Sequence, residues 1–419
     1  MTDAITIREL LAAGADDAPA LTAPQVPALT YAGLRTLVDD TARTLDAMGI
    51  GRGDRVAIVL PNGPEMASAF LAVAACAASA PLNPAYRAEE FEFYLSDLNA
   101  RGLVVEAGSS SPAVEVARRL GVRLIELHAD RERGAGSFGL RASDGGRPQA
   151  AAGGPDQPLA GAARPDDVAL VLHTSGTTSR PKIVPLTQRN VCASARNIRH
   201  FLGLGSEDRG LNIMPLFHIH GLIAGILAPL SAGGQVFCTP GFNALRFFAW
   251  MQEARPTWYT AVPTMHQAIL GRAANNREAI AANPLRFIRS SSSAMPTQVI
   301  RELERVFGAP LVESYGMTEA AHQMASNPLP PRERKPGTVG VAAGPEIAVM
   351  DASGQLLATG TIGEVVIRGE NVTPGYENNP KANAENFTNG WFRTGDQGVM
   401  DEDGYLTITG RLKEIINRG

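Results

Sequence analysis

The chain has 419 residues, 44% of them apolar and 19% charged, with a net charge of −4. Apolar content at that level supports a large buried core spread over two or three domain-sized units and excludes a mainly disordered chain. The slight acidic excess argues against a nucleic-acid protein, though not against a local basic site for phosphate.

The first ten residues carry no basic region ahead of an apolar run, so no signal peptide is expected. Three widely spaced cysteines, Cys76, Cys192 and Cys238, form no metal pattern and fit a reducing cytoplasm. Over residues 32–48, Leu34, Leu37, Val38, Leu45 and Met48 share one helical face, and Gly49 supplies the stop. A strand is expected at 55–60, then a turn at Pro61, Asn62 and Gly63. The longest apolar stretch, 67–82, is alanine-rich and too short for a membrane span, and reads as a buried helix. A helix at about 87–98 leads to another apolar run at 102–105, the rhythm of a parallel sheet wrapped by helices. Residues 131–165, dense in Gly, Ala and Pro, read as a long surface connection.

Strand-like runs return at 168–172, 210–214, 235–238, 258–262 and 285–290. After Lys335 the texture changes to short alternating runs at 346–350, 364–368 and 405–409, separated by turn sequences. The expected fold class is therefore α/β: parallel sheet and helix up to 334 and a smaller antiparallel β subdomain over 335–410.

Five segments carry candidate chemistry. Residues 168–182 run from a buried strand into Thr174, Ser175, Gly176, Thr177, Thr178 and Ser179, then Lys182. Backbone N–H groups and hydroxyls in such a loop can surround phosphate oxygens, although the Walker spacing is absent and a polar turn is the plain alternative. Residues 214–221 hold His218 and His220, which suit a pocket wall better than a metal pair because no third ligand stands nearby, while a satisfied core histidine is an equally good reading. Residues 289–296 and 311–319 both close a strand, where open α/β sheets bind ligands. The first offers Ser291 and Ser292; the second offers Tyr315, Gly316, Thr318 and Glu319, with His322 three residues on. Each also reads as the start of a helix. In the fifth segment Asp396 follows a tight turn and can accept ribose hydroxyls, with Arg411 beside it.

In order and spacing these segments resemble the adenylate-forming superfamily of acyl- and aryl-CoA ligases, peptide-synthetase adenylation domains and luciferases. The likeness is carried by HTSGTTSRPK, PLFHIHG, SYGMTE, GEVVIRG, WFRTGD and GRLKEI, and runs from about Leu29 to the last residue. It implies the α/β fold of an acyl-CoA-synthetase N-terminal domain, with two sheet-and-helix subdomains over 1–334, the β subdomain over 335–410 and a hinge over 411–419, and with ATP, Mg²⁺ and CoA as partners of a carboxylic acid. By this resemblance Thr174 to Thr178 and Lys182 hold the triphosphate, and Tyr315 stacks on adenine beside Ser291, Ser292 and Gly316. Thr318 binds phosphate, Glu319 ligates Mg²⁺, Asp396 and Arg411 hold the ribose, and Lys413 is the hinge. Lys182, Thr318 and Glu319 form the catalytic set. Two positions depart from the pattern: Ser179 and Ile183 stand where the family has glycine, which implies a stiffer phosphate loop.

Within the superfamily, residues 315–330 are similar to oxalate–CoA ligases, as are TSGTTSRPK and FHIHG. That likeness implies oxalate as the acid, with His218, Ser292 and His322 as its binding groups. The alternatives are a medium- or long-chain fatty or aryl acid, or a nucleotide-binding module with little turnover. The family's C-terminal domain, which carries an adenylation lysine and the surface that guides CoA, is not expected within these residues, and low activity is expected of the chain alone.

Overall fold

The apolar runs assemble into two mostly parallel sheets, and the alternating runs of the last third into an antiparallel one. The structure, a computed structural model, describes residues 4–143, 161–174 and 181–412. The first sheet has seven strands in the order Phe138–Ala142, Arg123–Ala129, Gly102–Glu106, Arg55–Val59, Ala78–Pro81, Val168–His173 and Ile183–Thr187. Its two edge strands run antiparallel to their neighbours and the others are parallel. The second has nine, in the order Val341–Ala342, His322–Ser326, Leu311–Met317, Phe287–Ser290, Trp258–Ala261, Arg209–Asn212, Gln235–Cys238, Pro19–Ala23 and Val26–Thr30. From Leu311–Met317 to Pro19–Ala23 it is parallel throughout.

Helix Pro64–Ala74 lies between the two sheets, touching Arg55–Val59 of the first and both Pro19–Ala23 and Gln235–Cys238 of the second. Every residue in it except Glu65 is buried, which is why it is apolar all round and built largely of alanine. The expected single helix over 67–82 ends at Ala74, and Ala78–Pro81 is a strand. Alanine favours helix, but this segment is enclosed between Arg55–Val59 and Val168–His173, and small side chains fit a strand buried on both faces. The expected connection over 131–165 also contains a strand, Phe138–Ala142. It lies on a sheet edge, and its alternation of Phe138, Leu140 and Ala142 spans only five residues inside a stretch dominated by Gly, Ala and Pro, so it does not stand out there.

Helix Tyr31–Ala47 begins where Thr30 Oγ1 accepts the Gly33 N–H at 3.2 Å, and it buries Leu34, Leu37, Val38 and Leu45. In the antiparallel sheet, Glu346–Met350, Gly363–Arg368 and Trp391–Met400 lie side by side, with Phe387–Thr388 and Leu406–Arg411 also pairing with the long strand. Its register sets Asp396 opposite Arg411. Among the described residues no helix is long and apolar enough to cross a membrane.

Glu313, in strand Leu311–Met317, is 9% exposed, and one of its carboxylate oxygens accepts the Gly337 N–H at 3.1 Å. Burial outweighs that bond and pushes the carboxyl up to about 7, from 4.5. Below pH 4.5 the group is protonated in the folded and unfolded chains alike. As pH rises toward 7 the unfolded chain loses the proton first, so stability falls through that window and stays lower above it. Glu313→Gln, which keeps an acceptor for Gly337, should therefore be more stable than the parent at pH 8, by about 2–3 kcal/mol, with the difference closing near pH 4.5. Denaturant melts at the two pH values check this.

Candidate active site

The carboxyl ends of the parallel strands in the second sheet open on one edge, where Thr260, Arg289 and Tyr315 stand on adjacent strands. Arg289 is fully buried. Its Nη1 donates to His220 Nε2 at 3.2 Å and to Thr260 Oγ1 at 3.3 Å. Its Nη2 donates to His322 Nε2 at 3.1 Å and to Gln323 Oε1 at 3.2 Å, while Nε has no partner. Among the described residues no carboxylate pairs with it, and burial draws the guanidinium down to about 9, still charged at neutral pH.

Because an arginine can only donate, each imidazole must present a bare Nε2 to it. Both histidines are accordingly neutral: burial and then the neighbouring charge hold His322 well below its usual range, and burial followed by His322 and Arg289 does the same for His220. Their rings stack 4.7 Å apart at 17°. His220 Nδ1 then carries the proton and donates to Ser292 Oγ at 3.0 Å. Ser292 is exposed, with φ +73°, so this chain of bonds leads from the buried guanidinium to the open edge.

His220 opens the segment His220–Leu227, where the helix widens so that the Ala228 N–H reaches back five residues to Ile223 O. His218, two residues earlier, is exposed against Phe217, and no hydrogen bond joins its ring to this cluster among the described residues. The readings of 311–319 that began a long helix at Thr318 give way to a single turn, Thr318–Ala320, followed by strand His322–Ser326. That strand folds back on Leu311–Met317, pairing Gly316 with Gln323 and Met317 with His322. A Cβ on Gly316 would lie 1.9 Å from His322 O, so the residue expected to make room beside Tyr315 is also what lets the two strands close.

The nucleotide candidates fall on the same side. Thr174 Oγ1 accepts the Lys182 N–H at 3.1 Å, closing the neck of the hydroxyl-rich loop. Ser175, Gly176, Thr177 and Thr178 lie outside the described residues, as does Lys413. Glu319 is buried, Oε1 accepting the Tyr376 hydroxyl at 2.7 Å, and no cation pairs with it among the described residues. Thr318 is half-buried beside it. Ser291 is buried and donates to Ser314 O at 3.0 Å, so its hydroxyl is committed to the neighbouring strand. Asp396 accepts the Tyr315 hydroxyl on Oδ2 and Arg411 Nε on Oδ1, the latter at 2.8 Å. Burial and the Asp396 carboxylate push the Tyr315 hydroxyl well up, so it stays a donor.

Sequence reasoning read residues 289–296 for their small side chains and passed over Arg289, and it weighed His218 above His220 within one motif. The available signal was a lone arginine closing a strand that otherwise reads as core.

Residues 9–377 match the AMP-binding enzyme family. An oxalate–CoA ligase of Arabidopsis thaliana is 46% identical, the match spanning 93% of this chain and 75% of that protein. An oxalate–CoA ligase of Saccharomyces cerevisiae is 42% identical over 88% and 70% respectively. Among solved structures, the o-succinylbenzoate coenzyme A synthetase of Bacillus subtilis in complex with ATP and magnesium ion superimposes with a TM-score of 0.81 at 26% identity, covering 99% of this chain and 81% of that one.

The 316–322 contact is testable by itself. Gly316→Ala must part the strand pair or tilt His322, and should lower stability by about 1–3 kcal/mol in thermal or denaturant melts.

Proposed function

The chain belongs to the AMP-binding enzyme family, and from that premise we propose that it activates oxalate as an acyl-adenylate and transfers the acyl group to CoA. One observation carries the choice of acid. A guanidinium with no carboxylate is buried at the strand ends behind two neutral imidazoles, and a buried charge without a counter-ion is costly. A ligand that brings a second negative charge to the open side of that cluster offsets the cost; a fatty acid brings only alkyl chain. The oxalate–CoA ligases among the relatives support the same reading.

In the proposed reaction one carboxylate of oxalate attacks the α-phosphorus, an O–P bond forms, and the bond to pyrophosphate breaks. The sulfur of CoA then attacks the acyl carbon, and AMP departs with the C–O electron pair. Positioning and charge neutralisation do the work. The second carboxylate lies toward Ser292, His220 and His322, with Arg289 behind them, and His218 flanks the entrance. Ser175 to Thr178 are assigned to the triphosphate by their motif, with Lys182 as its cation. Tyr315 and Gly316 face adenine, beside Ser291. Each oxygen of Asp396 keeps a lone pair for a ribose hydroxyl, and Arg411 orients the carboxylate. Thr318 serves a phosphate oxygen.

Glu319 suits Mg²⁺, since it is a buried carboxylate with no cation partner among the described residues. An Mg²⁺ ion is commonly held by one or two carboxylates together with substrate phosphates, and one carboxylate is what Glu319 supplies. When bound, the ion neutralises phosphate charge.

Calorimetry with a non-hydrolysable ATP analogue present should show oxalate binding and no heat from hexanoate at the same concentration. Equal binding of both would remove the case for a dicarboxylate pocket. Arg289→Met should weaken oxalate at least thirtyfold, about 2 kcal/mol or more, while Mg-ATP affinity changes little. The substitution removes a costly buried charge but leaves His322 Nε2 and Gln323 Oε1 without the guanidinium donor, so the ligand-free chain should lose about 1–3 kcal/mol of stability. Asp396→Ala should cost about 1.5–3 kcal/mol of AMP affinity and leave oxalate's relative standing over hexanoate unchanged.

A further inference from the structure

Tyr376 lies between strands Gly363–Arg368 and Phe387–Thr388, outside every motif that the sequence singles out. Its hydroxyl donates to Glu319 Oε1 at 2.7 Å, and Lys182 Nζ stands 4.2 Å from the centroid of its ring. One side chain, 4% exposed, thus touches both charged residues assigned above to the metal and the triphosphate. Its own position is heavily determined. Asn383 Oδ1 accepts the Tyr376 N–H at 2.7 Å, and Asn383 Nδ2 donates to Tyr376 O at 2.8 Å. On either side of it, the Thr373 N–H donates to Glu319 O at 2.7 Å, the Thr373 hydroxyl to Pro185 O at 2.7 Å, and the Glu377 N–H to Ile183 O at 3.1 Å. The loop is therefore tied both to the turn that carries Glu319 and to the strand that follows Lys182.

A donor on one carboxylate oxygen fixes the plane of the group and leaves the other oxygen for a cation. Supporting bonds of this kind are worth roughly 10–100-fold in metal affinity. A phenol hydroxyl is a donor at neutral pH, and at 2.7 Å it holds one oxygen of Glu319 in place. The ring face under Lys182 attracts its ammonium without neutralising it.

We propose that Tyr376 is a positioning residue of the metal–nucleotide site, its hydroxyl orienting Glu319 toward Mg²⁺ and its ring seating Lys182 at the triphosphate. This assignment rests on the nucleotide-activating function proposed above and adds the group that aligns its two charges. A tyrosine that only filled the core would change stability and leave the response to metal untouched.

The test is calorimetric titration of AMP, metal-free ATP and Mg-ATP into the parent chain, Tyr376→Phe, Glu319→Gln and the double variant. The parent should bind ATP more tightly with Mg²⁺ than without. Tyr376→Phe keeps the ring and should bind AMP within about twofold of the parent while its gain from Mg²⁺ drops about tenfold. Adding it to Glu319→Gln should cause no further loss, because the two act through one carboxylate. Tyr376→Leu removes the ring face as well and should weaken metal-free ATP too. A full Mg²⁺ gain in Tyr376→Phe, or additive losses in the double variant, would overturn the proposal while leaving the function intact. A folded parent that binds none of the three ligands would overturn the function, and the proposal with it. If Tyr376→Phe does not fold, Asn383→Ala, which frees the tyrosine backbone, takes its place with the same two outcomes.

Discussion

A guanidinium enclosed in protein with no acid beside it has to be held by neutral acceptors, and the active-site edge of the second sheet is organised around meeting that demand at Arg289. Thr260 comes from one strand, Arg289 from the next, and His322 and Gln323 from the hairpin beyond it, while His220 arrives from the widened helix. Arginine offers only donors, so both rings must be neutral with their Nε2 atoms turned inward, and that choice fixes where the proton of His220 points. The bond from His220 to the exposed Ser292 then follows without any further adjustment. A charge kept from water in this way makes the pocket unsatisfied until an anion arrives, which is an account of selectivity that needs no direct contact between arginine and ligand.

The large features were legible because they rest on local rules. Continuous apolar runs announced the parallel strands, the alternating runs after Lys335 announced the antiparallel sheet, and the spaced apolar residues up to Gly49 announced helix Tyr31–Ala47. What escaped was set by distant partners. Ala78–Pro81 is a strand because of the two strands that enclose it, and nothing in four small residues says so. Phe138–Ala142 is an edge strand whose alternating Phe138, Leu140 and Ala142 make a pattern too brief to separate it from the Gly- and Ala-rich residues around it. His322 starts a strand because Gly316 admits its carbonyl, a contact invisible to any helical or alternating period.

The candidate site shows the same division. Residue types with a motif around them, such as Lys182, Thr318, Glu319 and Asp396, were readable as a set. Residues whose importance comes from burial were not. Arg289 is ordinary in sequence and exceptional only when its surroundings are seen, and Tyr376 reads as one more aromatic until Glu319 and Lys182 are found on either side of it.

The hairpin that joins Leu311–Met317 to His322–Ser326 has a consequence for how such a pocket changes over evolutionary time. Tyr315 sits opposite Ala325 in the same ribbon whose first residue, His322, touches Arg289. The proposed acid wall and the proposed nucleotide platform are therefore one mechanical piece, and a substitution that shifts the first drags on the second. Ser292 and His220 lie on other elements, the one in a loop and the other at the start of a helix. New acid preferences have an easier path through those two positions, where the pocket can be remodelled without tuning the nucleotide platform again.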